Sequence, residues 1–298
     1  MFARRLAAGC LVVSLLCLSD AVSPSAQGET PRWNVIFVLI DDLGATDFGC
    51  TGSRFYETPH IDQLAAQGMR FTHGYAGCTV CSPTRAAIMT GKYPARLHIT
   101  DWIKGHNRPK AKLRIPDWTM YLPLEEITIA ERLHSAGYAT VHIGKWHLGD
   151  PPYYPEHQGF DLNIGGTHWG SPGSYFWPYG KENNRVPLEG GQEGEYLTDR
   201  LTNEAIHFIE QHKDRPFFMY FAHYAVHTPL QAKPDLVAHY EMKLADALSK
   251  GDDLNGQQCP VYAAMIHSLD ENIGRLMECL ERLKIADRTV VFLTSDNG

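Results

Sequence analysis

The chain has 298 residues, 44% apolar and 20% charged, with a formal net charge of −7. That length and composition suit a globular domain with its own hydrophobic core and argue against a disordered chain. The acidic balance argues against a general nucleic-acid binder, which needs clustered Lys and Arg for phosphate contacts, but leaves room for a local basic pocket that takes a small anion.

At the N-terminus Arg4 and Arg5 precede an apolar run from Leu6 to Leu18, followed by small residues in SDAVSPSAQG. This three-part pattern predicts a signal peptide over 1–26, cleaved between Ser23 and Gln27. The run is short for a membrane span and no second candidate follows, so export to the periplasm or outside is preferred to an anchor helix, with no stable membrane insertion. Cys10 comes too early for a lipid-attachment cysteine. Of seven cysteines, Cys10 and Cys17 leave with the signal. Cys50, Cys78, Cys81, Cys259 and Cys279 remain, an odd set too sparse to be a disulfide scaffold. Residues 27–298 show no internal repeat and no second domain boundary.

Four apolar runs predict buried strands, each ending in polar residues. Val35 to Ile40 leads into Asp41 and Asp42. Ala139 to Ile143 leads into Lys145 and His147. Phe217 to Phe221 leads into His223 and His227, and Thr289 to Leu293 into Asp296 and Asn297. Helices are expected between them. TPHIDQLAAQG has Thr58 as N-cap, Pro59 at the first helical position and Gly68 as stop. LEEITIAERLHSAG stops at Gly137. EYLTDRLTNEAIHFIEQH repeats Leu197, Leu201, Ile206 and Ile209. The longest helix starts near Pro260 and carries Ile266, Leu269, Ile273, Leu276 and Leu280. Gly149 to Gly194 is expected to form long surface loops, and Lys233 to Gln258 a polar loop with a short helix. Alternating strands and helices, with strands apolar on both faces, predict an α/β fold: a mixed, mostly parallel sheet sandwiched by helices. Ligands of such sheets lie beyond the carboxyl ends of the strands, where the four polar clusters should converge.

Asp41–Asp42 and Asp296–Asn297 offer oxygens to a hard divalent cation such as Ca²⁺ or Mg²⁺. Either pair alone fits a turn equally well; two pairs at converging strand ends favour the metal. The C-x-x-C of Cys78 and Cys81 admits a redox pair, half a zinc site, or one special cysteine with a bystander. Zinc is disfavoured because no second pair stands at ligand spacing. Ser82 as N-cap and Pro83 at the first position would start a helix ending at Gly91, placing Cys81 at its N-terminus and Arg85 in its first turn. That environment favours an anion and suits a nucleophile attacking an anionic ester.

CSPTRAAIMTG resembles the C-x-P-x-R…T-G signature of the type I sulfatases, and GYATVHIGKWHLG (Gly137 to Gly149) resembles their second signature. The first-strand Asp-Asp, HYAVHTPL and SDNG stand in the family's order. The resemblance runs over essentially everything after the signal and places the chain in the alkaline-phosphatase-like superfamily. It implies that Cys81 is converted to formylglycine by a formylglycine-generating enzyme, leaving Cys78 as the bystander. It implies one Ca²⁺ held by Asp41, Asp42, Asp296, Asn297 and residue 81. Arg85 would stabilise the formylglycine hydrate, Lys145 neutralise sulfate oxygens, His147 contact the second hydroxyl of residue 81, and His227 protonate the leaving alcohol. The implied substrate is an aryl sulfate or a sulfated sugar, the latter from a weaker likeness of EYLTDRLTNEAIHFIE and GTHWGSPGSYF to bacterial carbohydrate sulfatases. Family members continue well past this point with a further sulfate-binding lysine, more sheet edge and a C-terminal subdomain. If the chain ends at Gly298, marginal folding and weak turnover are expected.

Other readings remain at this stage. His223 competes with His227. Trp169, Tyr175, Phe176, Trp177 and Tyr179 either stack on a sugar or pack a loop. Trp146 reads as packing, and HQGFDLNIGG as a loop element without a catalytic role. A phosphodiesterase or phosphonate hydrolase on the same scaffold, an inactive fragment that binds Ca²⁺ and anions, and a secreted thiol oxidoreductase are the alternatives.

Overall fold

The computed structural model describes residues 32–106, 108–180, 183 and 185–297. The signal-peptide expectation, with Cys10 and Cys17, lies outside the described residues. So does Gly298.

Five strands form one sheet in the order β3-β2-β4-β1-β5. They are β1 (Asn34–Ile40), β2 (Ala139–Gly144), β3 (Leu162–Ile164), β4 (Phe217–Ala222) and β5 (Thr289–Ser295). All pairings among them are parallel. Every residue of β2 and β4 is buried. That is why these strands read as unbroken apolar runs: helices cover both faces. Alternation survives inside the run, because successive side chains point to opposite faces. Phe217, Met219 and Phe221 enter one core, and Phe218, Tyr220 and Ala222 the other.

The helices are α1 (Pro59–Gln67), α2 (Cys81–Thr90), α3 (Pro94–Leu97), α4 (Ile129–Ser135), α5 (Leu197–His212), α6 (Pro234–Lys250) and α7 (Pro260–Arg282). The larger core unites Leu201 and Ile209 of α5 with Ile266, Leu269, Ile273, Leu276 and Leu280 of α7. The smaller one unites Ala86 and Met89 of α2 with Leu97, Ala130, Trp146 and Phe160. The result is a three-layer α/β sandwich whose strand ends all open on the same side.

Four local expectations need correction. Helix α2 starts at Cys81 with Val80 as N-cap, not at Ser82. Ser82 is drawn away by tertiary bonds: its Oγ donates to His147 O and accepts from Ile103 N–H, each at 3.0 Å. Helix α4 covers only the second half of the predicted stretch, because Thr128 and Glu131 form a reciprocal capping box that fixes its start. Lys233–Gln258 is mostly helix: α6 runs for 17 residues but buries only Tyr240 and Ala247, so its sequence reads as polar. Strand β3, three residues at the sheet edge, lies inside the stretch expected to be loops. At α1 the positions of Thr58 and Pro59 are as expected. The capping group, however, is Asp270 of α7, whose carboxylate accepts from His60 and Ile61 N–H at 3.2 and 2.8 Å.

Candidate active site

Four strand ends and one helix start bring the predicted polar residues together. After β1, the Asp41 N–H donates to Ala225 O at 2.9 Å and Asp42 adopts a left-handed φ of 58°. After β2, Gly144 turns the chain at φ 100°; a Cβ there would sit 1.9 Å from Ala222 O, so only glycine allows β2 to pass so close to the end of β4. Lys145 then turns inward, and its Nζ donates to both oxygens of Asp41 at 2.7 and 2.6 Å. After β5, the Asp296 N–H pairs with Ile40 O, and Asn297 Nδ2 donates to Asp296 Oδ1 at 2.8 Å. From α2, Arg85 reaches Asp296 at 2.7 Å and Asp41 at 3.2 Å, with a third bond to Lys145 O at 2.9 Å. The side chains of Asp41, Asp296, Arg85 and Lys145 are fully buried.

Cys81 opens α2 beside this network, its Sγ 4.0 Å from Asp42 Oδ1. Burial, reinforced by Asp41 and Asp296 and opposed by Lys145 and Arg85, pushes the thiol up to about 12. The helix start and Arg85 therefore do not make a thiolate here, because the nearby cations are already held by carboxylates. The unmodified thiol is a poor nucleophile. Cys78 and Cys81 are both free. The Cys78 N–H and C=O are held by Thr84 Oγ1, each at 3.0 Å.

The carboxylates are set apart by their partners. Burial pushes Asp41 up to about 8, with Asp296 and Asp42 adding and Lys145 and Arg85 opposing. Burial also acts on Asp296, but Arg85 and then Lys145 outweigh it and hold that carboxyl below its ordinary range. Three carboxylates thus face two fixed cations. Ligand atoms of Asp41, Cys81 and Asp296 lie within 4.8 Å of one another, as do those of Asp42, Cys81 and His227. The carboxylate oxygens of Asp41, Asp42 and Asp296 and their short mutual distances fit a hard divalent cation; the Cys81 sulfur, present in both groups, is a soft donor that does not.

His147 has a left-handed φ of 57° and sits almost fully buried. Its Nε2 faces Ile103 O at 3.4 Å, which requires the proton on that nitrogen. Its Nδ1 is then a bare lone pair, buried and without a partner among the described residues. Burial first, then Lys145 and Arg85, hold the ring well below its ordinary pKa, so it is neutral. Gly170 packs against this ring, where a Cβ would meet Cε1 at 2.5 Å.

His227 stands at the mouth, its Nε2 3.5 Å from Asp42 Oδ2 and its side chain 22% exposed. His223 is elsewhere: fully buried, tilted against Phe221 with ring centroids 4.1 Å apart, and with neither ring nitrogen bonded among the described residues. Burial alone lowers its pKa to about 3. In the unfolded chain it protonates near 6.5, so folding stability is complete above that pH and is lost as pH falls toward 3. By pH 5 the loss is roughly 2 kcal/mol. Urea unfolding at pH 7 and pH 5 should show His223→Phe losing that much less than the wild type; equal losses would refute it.

Sequence reasoning missed the groups that hold this site. Tyr175 OH shares its one proton between Tyr224 O at 2.6 Å and His227 O at 2.8 Å, fixing the His227 loop. Tyr175 and Tyr179 are fully buried, which settles them as packing; Trp169 stays partly exposed with Arg185 over its ring at 4.3 Å. Tyr262 of α7 donates to Asp47 at 2.7 Å, and Asp47 in turn accepts from Gly44 N–H, bracing the loop after Asp42. The Asp three residues after Gly44 was the legible signal.

A model of the Sulfatase family matches residues 33–298. N-acetylgalactosamine-6-sulfatase of Mus musculus is 32% identical over 308 residues, covering 95% of this chain and 54% of its own length. The Homo sapiens protein of the same name is 34% identical over 304 residues, covering 92% and 51%. Among solved structures, Ps i-CgsB, determined in complex with k-i-k-neocarrahexaose, is similar with a TM-score of 0.70 at 32% identity, covering 90% of this chain and 59% of that one. The chain spans about half the length of the curated relatives it matches. With the signature residues gathered at the strand ends of a parallel α/β sheet, the chain belongs to the type I sulfatase family of the alkaline-phosphatase-like superfamily.

Proposed function

We propose that residues 27–298 form the catalytic region of an exported sulfuric ester hydrolase acting on sulfated carbohydrate. The observation that carries this is the position of Cys81: first residue of a helix, with its sulfur grouped with the ligand atoms of Asp41 and Asp296 on one side and of Asp42 and His227 on the other. The relatives named for N-acetylgalactosamine-6-sulfate and the neighbour solved with a carrahexaose support a sulfated sugar as substrate. No helix among the described residues is long and apolar enough to cross a membrane.

Asp41, Asp42, Asp296 and Asn297, with residue 81, would hold Ca²⁺, which supplies fixed positive charge to sulfate oxygens. Oxidation of Cys81 by a formylglycine-generating enzyme, with dioxygen as the oxidant and loss of the sulfur, followed by hydration of the aldehyde, would supply a geminal diol: one oxygen would attack the sulfate sulfur, and the second hydroxyl, once deprotonated, would expel sulfate and restore the aldehyde. His147 Nδ1 accepts a hydrogen bond, and then the proton, from a hydroxyl of residue 81. Lys145 and Arg85 aim Asp41 and Asp296, hold Asp296 ionised and oppose the burial that pushes Asp41 up to about 8, and Lys145 carries the positive charge nearest the incoming anion. In this structure Arg85 has its donors on Asp296, Asp41 and Lys145 O, so its first task is orienting the ligands. His227 Nδ1 faces Thr228 O at 2.7 Å, so only the protonated ring has an Nε2 proton to deliver from the mouth to the departing alcohol oxygen, and the lowering of its pKa by burial and by Lys145 makes that form the stronger acid.

The test is mass spectrometry of the tryptic peptide Phe71 to Arg85 from protein made in its native host, paired with rates on aryl sulfate and aryl phosphate esters. A peptide that has exchanged H₂S for O at residue 81, with sulfate cleaved faster, supports the reading. A faster phosphate ester would move the assignment to a phosphodiesterase. An unmodified thiol or a Cys78–Cys81 disulfide would refute it.

A further inference from the structure

The chain carries a net charge of −7, yet Lys104 to Arg114 holds Lys104, Arg108, Lys110, Lys112 and Arg114 with no acidic residue. This segment starts at the active site. Ile103 N–H donates to Ser82 Oγ at 3.0 Å, beside Cys81, and Ile103 O faces His147 Nε2 at 3.4 Å. It returns to the same neighbourhood. Trp118 is buried, Thr119 N–H pairs with His98 O at 2.7 Å, and Leu122 N–H pairs with the carbonyl of Leu148, next to His147. Lys104 pairs with Asp150 and Arg108 with Asp101. Lys110, Lys112 and Arg114 are exposed and make no ion pair among the described residues.

The anchors at Ile103 and at Thr119 and Leu122 root both ends of the run beside the site, so its free cations stand on a loop that begins and ends there. Its aromatic neighbours point the same way. Trp102 is 40% exposed, and Tyr121 is 38% exposed and stacked on Tyr153 at 4.0 Å. Cations for sulfate groups and aromatic faces for sugar C–H surfaces together match a sulfated glycan chain.

Building on the sulfatase reading, we propose that Lys110, Lys112 and Arg114 form a subsite for further sulfate groups on the same glycan, so that the substrate is multiply sulfated. The subsite acts by attraction at a distance and through exposed contacts, so it works on KM and is screened by salt.

The experiment compares the wild type with the triple variant Lys110→Ser, Lys112→Ser, Arg114→Ser. The probes are a multiply sulfated oligosaccharide, 4-nitrophenyl sulfate, and calorimetric titration with short dextran sulfate across a salt series. The expected result is about a tenfold rise in oligosaccharide KM at low salt and a flatter salt dependence. The kcat and the aryl sulfate constants should stay within about twofold. Dextran sulfate affinity should fall in parallel, a readout that requires no turnover. If neither substrate is cleaved but dextran sulfate binding still falls in the variant, the subsite stands and the hydrolase reading fails. Unchanged oligosaccharide KM and unchanged dextran sulfate binding would overturn the subsite. So would a parallel loss on the aryl sulfate, or equally tight binding of a DNA oligomer of the same charge.

Discussion

Replacing Cys81 by alanine is expected to leave a folded protein with sulfate-ester hydrolysis lowered by roughly four to six orders of magnitude, the scale seen when a covalent nucleophile is removed. The fold should survive, because among the described residues the Cys81 sulfur's hydrogen bond is a long one to Asp42 Oδ1, at 4.0 Å, and it sits among polar groups rather than in either core. Its loss should move the melting temperature by no more than a few degrees. Cys78→Ser should keep activity within about threefold, since that residue is held through its backbone by Thr84 rather than through its sulfur. The pair of variants separates the chemistries. A thiol oxidoreductase would lose its activity with either cysteine, and a thiolate nucleophile is already opposed by a thiol pushed up to about 12. Comparable kcat/KM for wild type and Cys81→Ala on an aryl sulfate would end the formylglycine proposal. A Cys78→Ser variant as inactive as Cys81→Ala would bring the redox reading forward.

What could be read from residues alone followed from how each element is stabilised. Strands β1, β2, β4 and β5 are apolar runs of six or seven residues, so their ends lie within two residues of the predicted ones; β5, expected to be buried, is instead an edge strand with no fully buried residue. Asp41, Asp42, Lys145, His147, His227, Asp296 and Asn297 were legible because each follows a strand that the sheet rule aims at the same edge, whereas Cys81 and Arg85 were legible from a helix start. Strand β3 was not, because three residues at an edge carry no period. Helix α6 was hidden by its weak burial, and Ser82 by bonds to residues 21 and 65 positions away that no local cap rule contains. The tautomer of His147 was equally out of reach, since it depends on a carbonyl from a distant loop. The same holds for Arg85: sequence spacing placed it near residue 81, but only the fold shows its guanidinium committed to two carboxylates and a backbone oxygen.

That commitment makes Arg85→Gln the second large expected effect. The wild-type cluster sets Arg85 and Lys145 against Asp41, Asp42 and Asp296, with Arg85 fully buried. Removing one partner from a buried ion pair leaves an uncompensated charge and is expected to destabilise by about 3–5 kcal/mol in calcium-free buffer. Glutamine can still donate to one carboxylate but cannot span Asp296, Asp41 and Lys145 O together. If the carboxylates are also the ligands of a divalent cation, the variant site is one unit more negative and gains more from the ion. Saturating Ca²⁺ should therefore recover part of the deficit, while the wild type gains only its own binding term. The measurement is urea unfolding of both proteins in EGTA and in saturating Ca²⁺. A deficit that shrinks with Ca²⁺ places the ion among these carboxylates. A deficit of the same size in both buffers, with a wild type indifferent to EGTA, would mean that Arg85 and Lys145 already complete the cluster and that the ion belongs elsewhere.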